Sequence, residues 1–384
     1  MRILLLPMFL PGLKRTGAEV VTQGFIDALR LAGHDVAVLG YRRAGTDPPR
    51  HRDDRVVADR PIETSAAPLR ALGWLARAAA TRRPYTQAKY MSRRYRRAVA
   101  ELVGRQRPDL VVVDSARMAW LVPDGGWACP HVVVAHNVEY RIYEGLARGA
   151  GLARGIVLRR EARVLRRAEA AACAAAAEVW ALKDEDVATL EGLGARRVRT
   201  FAVPGTGAGD DAGTAPPSRD VAVLGGWHWA ANAAGLAWFA ERVVPRLGER
   251  GLEVHVAGAD ADAVVSGRPG LVLHGRVPDA LEFLRSGRVV AVPSVTGEGV
   301  QIKTLDAIAS GRPLVATSVA MRGIADPPGT VRVADDPAEF ADAVAAAAAT
   351  ASDGADEARR WARRRLDAFR AAVAVAAEEV ADGR

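Results

Sequence analysis

The sequence has 384 residues, of which 49% are hydrophobic and 26% charged, with a formal net charge of +8. This length favours two domains over one, and the hydrophobic content is too high for an intrinsically disordered chain. The two cysteines, Cys129 and Cys173, lie far apart without metal-ligand spacing, which excludes a disulfide framework or a zinc site and favours a reducing compartment.

The first residues contain an apolar run that is too short for a secretory signal or a membrane span, and they predict a first strand. We therefore expect a cytoplasmic protein. A helix entered through Thr16, Gly17 and Ala18 follows, because apolar residues at 20, 21, 25, 26 and 29 keep helical spacing. A second strand at residues 36–39 completes a βαβ opening.

The rest of the first half is strongly basic. Residues 42–66 predict a loop and residues 68–107 two helices, the second with Lys89 and six arginines against Glu101 alone. Apolar side chains lie among these charges or just before them: Trp74, Leu75, Tyr90 and Tyr95. This segment is either an interfacial surface that reaches toward an anionic membrane and a lipid-borne acceptor, or a solvated domain face. Nucleic acid is not an expected partner, because no binding module accompanies the charge.

The charge differs between the halves of the chain. Residues 1–205 hold 34 Lys and Arg against 21 Asp and Glu, a net charge of +13, and residues 206–384 hold 19 against 24, a net charge of −5. The basic half is suited to an anionic acceptor or surface. An arginine-rich composition on solvated helices explains the same numbers equally well.

Two buried strands, at residues 110–114 and 132–135, are predicted in the first half. The second delivers His136 and Glu139 at its carboxyl end, where ligands bind in open α/β sheets. From the residues alone, His136 is equally well explained as a ligand contact or as a cap of the next helix.

A Gly-, Pro- and Asp-rich break at residues 205–219 predicts a domain boundary. A second α/β unit then begins with a strand at residues 221–224 and a turn at residues 225–229. Asn232 is expected to cap a helix over residues 233–247. Asp260 and Asp262 are discounted as metal ligands, because such a pair is common by chance.

Residues 292–317 predict a strand, a glycine-containing loop, a short helix over about residues 300–310, a stop at Gly311 and a second strand. Glu298 lies between two glycines that let the backbone approach a ligand closely. Lys303 and Asp306 share a helix face. Backbone N–H groups and a cation are suited to phosphate, and two carboxylates to sugar hydroxyls, so the segment predicts a nucleotide-sugar site.

Glu298, seven intervening residues and Asp306, followed by Ala307, Gly311 and Pro313, resemble the E-x7-E motif of the retaining, group-1 (family 4-like) branch of GT-B glycosyltransferases. The resemblance implies an α/β fold with two Rossmann-like, doubly wound domains that face a cleft. It implies an acceptor-side domain over residues 1–205, a linker over 206–219 and a nucleotide-sugar-binding domain over 220–355. A C-terminal helix over 356–384 would cross back to the N-terminal domain.

The resemblance also implies roles for residues of the second half. Glu298 would contact the transferred sugar, Asp306 the ribose, and Lys303 the diphosphate. Further donor-binding residues would come from the same loop, the base pocket and the first turn: Gly297, Gly299, Val300, Gln301, Arg276, Val277, Trp227 and His228. Two departures weaken the pattern, because Asp306 is one methylene shorter than the usual Glu and Gln301 stands where many relatives carry Arg.

In the first half, the resemblance makes His136 a contact of the donor sugar or acceptor, and Gly17, Ala18 and Glu139 acceptor-side residues. Gly17-Ala18 replaces the pair of glycines that relatives often carry. The catalytic residues would then be Glu298, His136 and Lys303.

The implied reaction moves a sugar from a nucleoside diphosphate donor to a small-molecule, glycan or lipid-linked acceptor, with retention and without a metal or another cofactor. Two alternatives stay open. One is a GT-B epimerase or phosphorylase, and the other is a catalytically silent nucleotide-sugar-binding protein.

Overall fold

The computed structural model describes residues 1–12, 16–43, 51–60, 68–209, 216–350 and 354–383. The chain forms two compact units: unit 1 is Met1–Phe201 with Phe369–Arg384, and unit 2 is Ala202–Ala368. Each unit contains one parallel sheet flanked by helices. The predicted fold class, two Rossmann-like α/β domains, is confirmed.

Unit 1 is built from alternating strands and helices in its described ranges. Its strands are β1 (Arg2–Pro7), β2 (Asp35–Arg43), β3 (Asp54–Arg60), β4 (Leu110–Asp114), β5 (His131–Ala135), β6 (Glu178–Ala181) and β7 (Val198–Thr200). Its helices are α1 (Gly17–Leu31), α2 (Pro68–Thr81), α3 (Tyr85–Ala88), α4 (Arg93–Gln106), α5 (Glu139–Arg148), α6 (Leu152–Ala175) and α7 (Val187–Gly192). Short 3-10 turns occur at Ala116–Leu121 and Asp184–Asp186.

The sheet of unit 1 has the order β3-β2-β1-β4-β5-β6-β7, and all of its neighbouring strands pair in parallel. The central strands β4 and β5 are buried at every position, because helices cover both faces of a doubly wound sheet. The strand order reverses between β1 and β4. Ligands bind in such sheets at the carboxyl ends of the strands beside this reversal, which here include Asp114.

Strand β3 corrects the prediction of a loop over residues 42–66. Residues 54–60 pair in parallel with β2 at the edge of the sheet. Only Val57 of this strand is fully buried, so an edge position leaves little of the apolar alternation by which a strand is recognised. Residues 44–50 and 61–67 lie outside the described part of the chain.

Unit 2 repeats the same architecture with fewer strands. Its strands are β8 (Arg219–Leu224), β9 (Val254–Ala257), β10 (Leu271–Gly275), β11 (Gly287–Val292), β12 (Leu314–Ala316) and β13 (Val331–Val333), in the parallel order β10-β9-β8-β11-β12-β13. Its helices are α8 (Ala230–Arg242), α9 (Val244–Gly248), α10 (Ala261–Val265), α11 (Ala280–Arg285), α12 (Ile302–Ala309) and α13 (Pro337–Ala349), with a 3-10 turn at Ser318–Met321. Its strand order reverses between β8 and β11, which places the loops after these two strands at the ligand edge.

The last helix, α14 (Ala355–Ala381), is divided between the units at Phe369. Before that residue, Arg365 Nε donates to the Val203 carbonyl oxygen at 2.8 Å within unit 2. From that residue on, the helix belongs to unit 1, where the Phe369 ring lies 5.1 Å from Phe25 in a buried aromatic cluster. The resemblance implied a helix over residues 356–384 that crosses back to the N-terminal domain, and an alanine- and arginine-rich helix carries no pattern that marks where its packing partner changes.

Candidate active site

The loops after β8 and β11 in unit 2, residues 225–229 and 293–301, lie beside helices α8 and α12. Gly235 of α8 allows a close approach to the second loop, since a Cβ atom there would lie 2.0 Å from the Pro293 carbonyl oxygen. A larger residue would push helix and loop apart. This requirement was not predictable from the sequence, because it depends on a contact between distant segments.

The amide of Asn232 fixes the ammonium group of Lys303. Lys303 Nζ donates to Asn232 Oδ1 at 2.9 Å, and Asn232 Nδ2 donates to the Gly226 carbonyl oxygen at 3.0 Å. The amide therefore links the first loop to the cation of α12. Helix α8 begins at Ala230, so Asn232 lies in its first turn, which corrects its predicted position as the N-cap of a helix over residues 233–247.

The environment of Lys303 also changes its charge behaviour. Burial lowers the pKa of Lys303 to about 8, because the low-dielectric surroundings disfavour the charged form. The ammonium lies 6.0 Å from the centre of the Trp227 ring. The Asn232 amide oxygen and the face of the Trp227 ring offset only part of the free energy that burial of the ammonium group costs. An anion beside Lys303 would therefore stabilise its charged form.

Gln301 supports the loop after β11 from within. Its Oε1 accepts a hydrogen bond from Ser294 Oγ at 2.6 Å, and its Nε2 donates to the Val319 carbonyl oxygen at 3.5 Å. Gln301 is the N-cap residue of α12. Its side chain contacts protein groups at both ends, so it supports the loop, and its contact with the donor stays a prediction.

Glu298 is exposed at the tip of the same loop. It follows Gly297, which has a φ of +141°, a conformation that favours glycine. Arg322 Nη1 donates to the Gly297 carbonyl oxygen. Arg322 thus places a second cation beside this loop, and the sequence did not indicate it because it lies after the next strand. Gly299 and Val300 continue the loop into the first turn of α12.

The remaining residues that were predicted to bind the donor differ in how deeply they are buried. Trp227 is 3% exposed and its Nε1 donates to the Ala257 carbonyl oxygen at 3.0 Å, so it is a core residue beneath the first loop. His228 is exposed, with its Nδ1 3.9 Å from Asp260 Oδ2. Val277 packs against a small apolar cluster around Phe283, and Arg276 beside it is exposed. Of these residues, Trp227 lies next to Lys303.

Asp306 holds the segment that follows Phe201. Its Oδ1 accepts hydrogen bonds from the Thr206 backbone N–H at 2.5 Å, the Thr206 hydroxyl at 2.8 Å and the Gly207 N–H at 3.3 Å. The carboxylate is buried, and a Cβ atom at Gly205 would lie 2.7 Å from Oδ1. These contacts give Asp306 a structural role that the E-x7-E spacing alone could not show, and its ribose contact stays a prediction.

We expect the Asp306→Ala variant to lose about 1–3 kcal/mol of unfolding free energy, because the buried N–H group of Gly207 and the partly buried N–H group of Thr206 lose their acceptor. Asp306→Asn should retain most of the stability, since its amide oxygen can accept the same bonds. Urea denaturation of the two variants measures the difference. Equal losses in both would show that the charge, rather than the acceptor, is what this segment needs.

In unit 1, Asp114 and His136 form a pair at the carboxyl ends of β4 and β5. His136 Nε2 lies 2.6 Å from Asp114 Oδ1, and Asp114 Oδ2 accepts a hydrogen bond from the Thr22 hydroxyl at 2.5 Å. Ser115, the next residue, has a φ of +106°. Such a conformation costs free energy in a residue other than glycine, and this kind of strain is concentrated at functional sites.

The pair keeps the imidazole protonated to a higher pH than an isolated histidine. Burial of the ring disfavours its charge, but the negative charge of Asp114 and the hydrogen bond to it outweigh burial, so the pKa of His136 lies above its ordinary value. With Nε2 committed to Asp114, the other ring nitrogen, Nδ1, is the atom that a ligand would meet. The alternative role of His136, a cap of α5, is performed by another residue.

That residue is Glu169 of α6. Its carboxylate oxygens accept hydrogen bonds from the backbone N–H groups of Glu139 and Tyr140, at 2.7 and 2.9 Å, at the start of α5. Burial raises the pKa of Glu169 to about 7, although the two N–H groups oppose this shift. The Glu139 side chain is itself buried and accepts a hydrogen bond from Arg117 Nη2. Glu139 therefore lies in an ion pair beside His136.

Gly17 and Ala18 form the first turn of α1. Thr16 is the N-cap, and its side chain and that of Glu19 form a reciprocal capping box. Thr22 Oγ1, whose proton is directed to Asp114 at the shorter distance of 2.5 Å, also lies 2.9 Å from the Ala18 carbonyl oxygen. The turn is thus connected to the Asp114–His136 pair, which the sequence could not show because residues 22, 114 and 136 are far apart.

The buried Oδ1 atom of Asn137 has no hydrogen-bond donor among the residues that the structure describes. Asn137 directly follows His136, and a buried acceptor without a donor costs free energy. A ligand hydroxyl is one group that could satisfy it. Asn137 was not among the predicted site residues, although an amide beside His136 after a buried strand was a visible signal.

Two doubly wound domains, each with polar groups at the ligand edge of its sheet, define a GT-B architecture. Two family models match the chain: "Glycosyl transferase 4-like domain" over residues 16–206 and "Glycosyl transferases group 1" over residues 218–350. The chain therefore belongs to the group 1 glycosyltransferases with a family 4-like first domain. The resemblance and the enzyme class predicted from the sequence are confirmed.

Solved structures agree on the fold. A sucrose-phosphate synthase from Thermosynechococcus elongatus matches with a TM-score of 0.67 and 14% identity over 100% of this chain and 99% of the other. WaaG, a glycosyltransferase involved in lipopolysaccharide biosynthesis, matches at 0.61 and 16% over 99% of each chain. An E. coli trehalose-6-phosphate protein bound with UDP-2-fluoro glucose matches at 0.59 and 11% over 97% and 99%. No curated protein matches the chain.

Proposed function

We propose that this glycosyltransferase takes its sugar from a nucleoside diphosphate donor held by unit 2 and passes it to an acceptor hydroxyl held at the ligand edge of unit 1. The observation that carries the proposal is the cation of Lys303, which is fixed by Asn232 at the start of α12 and beside the loop of Glu298. Anions bind at the start of helices because the first N–H groups have no acceptor within the helix.

The donor side has a defined task in this reaction. The bond between the anomeric carbon and the β-phosphate oxygen breaks, and negative charge collects on that oxygen as the nucleoside diphosphate leaves. Lys303 and the N–H groups near Gly299 and Val300 would stabilise this charge in the transition state, and Glu298 would orient the sugar. Because the chain supplies this positive charge, the proposed route requires no metal.

The acceptor side is served by the Asp114–His136 pair. A new bond forms between the anomeric carbon and the acceptor oxygen, and the acceptor proton passes to the departing phosphate on the same face of the sugar. This route gives retention and needs no side-chain base. The protonated imidazole would donate from Nδ1 to an oxygen of the sugar or acceptor, while Asp114 holds the ring in place.

A turnover assay tests the proposal. The full chain is incubated in EDTA with UDP-, GDP-, dTDP- and ADP-sugars, and release of the nucleoside diphosphate is measured with and without sugar acceptors. We expect release from one donor class, accelerated by an acceptor, and its loss in Glu298→Ala. Binding of a donor with no release under any of these conditions would contradict the proposed reaction.

Donor binding should depend on pH through Lys303. In the free protein its pKa is about 8, and a bound diphosphate favours the protonated form, so above this pH binding must take up a proton. Affinity should therefore fall up to about tenfold per pH unit above pH 8 and level off below it. Calorimetry with a nucleoside diphosphate between pH 7 and about pH 9.5 measures this slope. Lys303→Arg, whose side chain stays charged, should give a flat profile, and an unchanged slope in that variant would exclude Lys303 as its source.

A further inference from the structure

The helical hairpin formed by α5 and α6 in unit 1 ends in a tip of exposed aliphatic side chains. Glu169 contacts the start of α5, and Gly155 lies close to the Ala147 carbonyl oxygen at its end, so the two helices run antiparallel. The exposed fractions at the tip are large: Leu146 47%, Leu152 80%, Ile156 55% and Val157 62%. Soluble proteins rarely group large aliphatic residues on one exposed surface unless it binds a partner.

Arginines surround these side chains. Residues 141–160 contain Arg141, Arg148, Arg154, Arg159 and Arg160 against the single acid Glu144, a net charge of +4, and all five arginines are exposed. Aliphatic side chains beside a dense positive charge are suited to the boundary between lipid headgroups and acyl chains when the lipids are anionic. A second copy of this chain is a poor occupant, because a two-fold interface would bring the same arginines face to face.

Residues 68–107, where the sequence suggested an interfacial surface, are built differently. The rings of Trp74, Tyr90 and Tyr95 are buried, with exposed fractions of at most 9%, and pack into unit 1, whereas Leu72 and Leu75 of α2 are exposed. In the described ranges, no helix is both long enough and apolar enough to cross a bilayer.

We infer that the tip of the α5–α6 hairpin, residues 146–160, docks the protein onto an anionic lipid surface. Helix α5 has ten residues, so it spans about 15 Å between the Asp114–His136 pair at its start and the tip at its end. Docking would hold the acceptor edge of unit 1 within reach of a headgroup. The inference does not depend on the proposed reaction, because lipid binding is measured without any donor.

Flotation of the full-length protein with vesicles tests the inference. Vesicles of phosphatidylcholine with about one third phosphatidylglycerol are compared with vesicles of phosphatidylcholine alone. We expect binding to the anionic vesicles only, weakened by salt. Leu152→Ser with Ile156→Ser, and separately Arg154→Glu with Arg159→Glu, should each reduce binding by roughly tenfold or more. All four side chains are exposed, and a thermal melt checks the folding of each variant.

Two control variants make the same kinds of substitution at exposed positions outside the hairpin tip. Leu72→Ser with Leu75→Ser deletes two exposed leucines of α2, and Arg52→Glu with Arg242→Glu reverses two exposed arginines. Both controls should bind like the unmodified protein. Equal binding to both kinds of vesicle, no binding at all, or loss confined to the α2 control would overturn the inference. So would a dimer, seen by sedimentation, that Leu152→Ser with Ile156→Ser abolishes while vesicles do not bind.

Discussion

Replacing Lys303 with alanine should lower kcat/KM for donor turnover by roughly 10²–10³-fold, the cost typical of losing one preorganised group that stabilises transition-state charge. The variant loses the cation that Asn232 fixes at the start of α12, and Arg322, the second cation beside this loop, is held by the Gly297 carbonyl oxygen instead. Most of the loss should appear in kcat, since the phosphate becomes more negative as its bond breaks. Steady-state kinetics with the preferred donor measure both constants.

Two further variants separate the charge of Lys303 from its position. Asn232→Ala keeps the ammonium but removes its hydrogen-bond partner, and it should give an intermediate loss. Arg242→Ala deletes an exposed cation from the other end of α8 in the same unit and should leave kcat/KM unchanged. If Arg242→Ala and Lys303→Ala lost activity equally, a general charge effect would explain the result and the specific role of Lys303 would be refuted.

Replacing His136 with alanine should lower kcat by roughly 10²-fold, because a positioned donor to the sugar or acceptor is lost. Asp114→Asn should cost about tenfold and also lower the pKa of His136, since the negative charge that raises this pKa is removed. The pH limit above which activity falls should therefore move to lower pH in Asp114→Asn. A pH–rate profile measures this shift, which a merely structural change would not produce.

His131 provides the matched control for His136. It lies at the opposite end of the same strand, where it is buried, and it is far from the carboxyl edge of the sheet. His131→Ala should reduce stability but leave kcat unchanged at temperatures well below its melting point. Full activity in His136→Ala, with wild-type folding, would remove this residue from the reaction.

The fold and the enzyme class were predictable because their signals are local. Buried strands separated by amphipathic helices indicate doubly wound sheets, and the spacing from Glu298 to Asp306 lies within a single loop and helix. The stop at Gly311 was correct for the same reason, since a φ of +77° at that residue follows from helix-end chemistry. The edge strand β3 was missed because a half-exposed strand with one buried valine has almost no pattern.

The arrangement of the site was not predictable, because it depends on pairs of residues far apart in the sequence. Asn232 and Lys303 meet across 71 positions, and Thr206 and Asp306 across 100. Asp114 could be placed at the end of a strand, but its partner His136 follows a different strand. Only the sheet order β1-β4-β5 brings their carboxyl ends together. A sequence motif thus indicates which residues a site contains. It does not show which of them contact a ligand and which hold other residues in place.

Thermal unfolding with UDP, GDP, dTDP and ADP in EDTA tests the central claim most directly, which is that unit 2 holds a diphosphate through Lys303. At a hundred times its dissociation constant, a ligand stabilises the folded protein by about 2.7 kcal/mol, a shift in Tm of several degrees. We predict that one of the four nucleotides produces this shift and that Lys303→Ala abolishes it. No shift with any nucleotide, or an equal shift in the variant, would contradict the account.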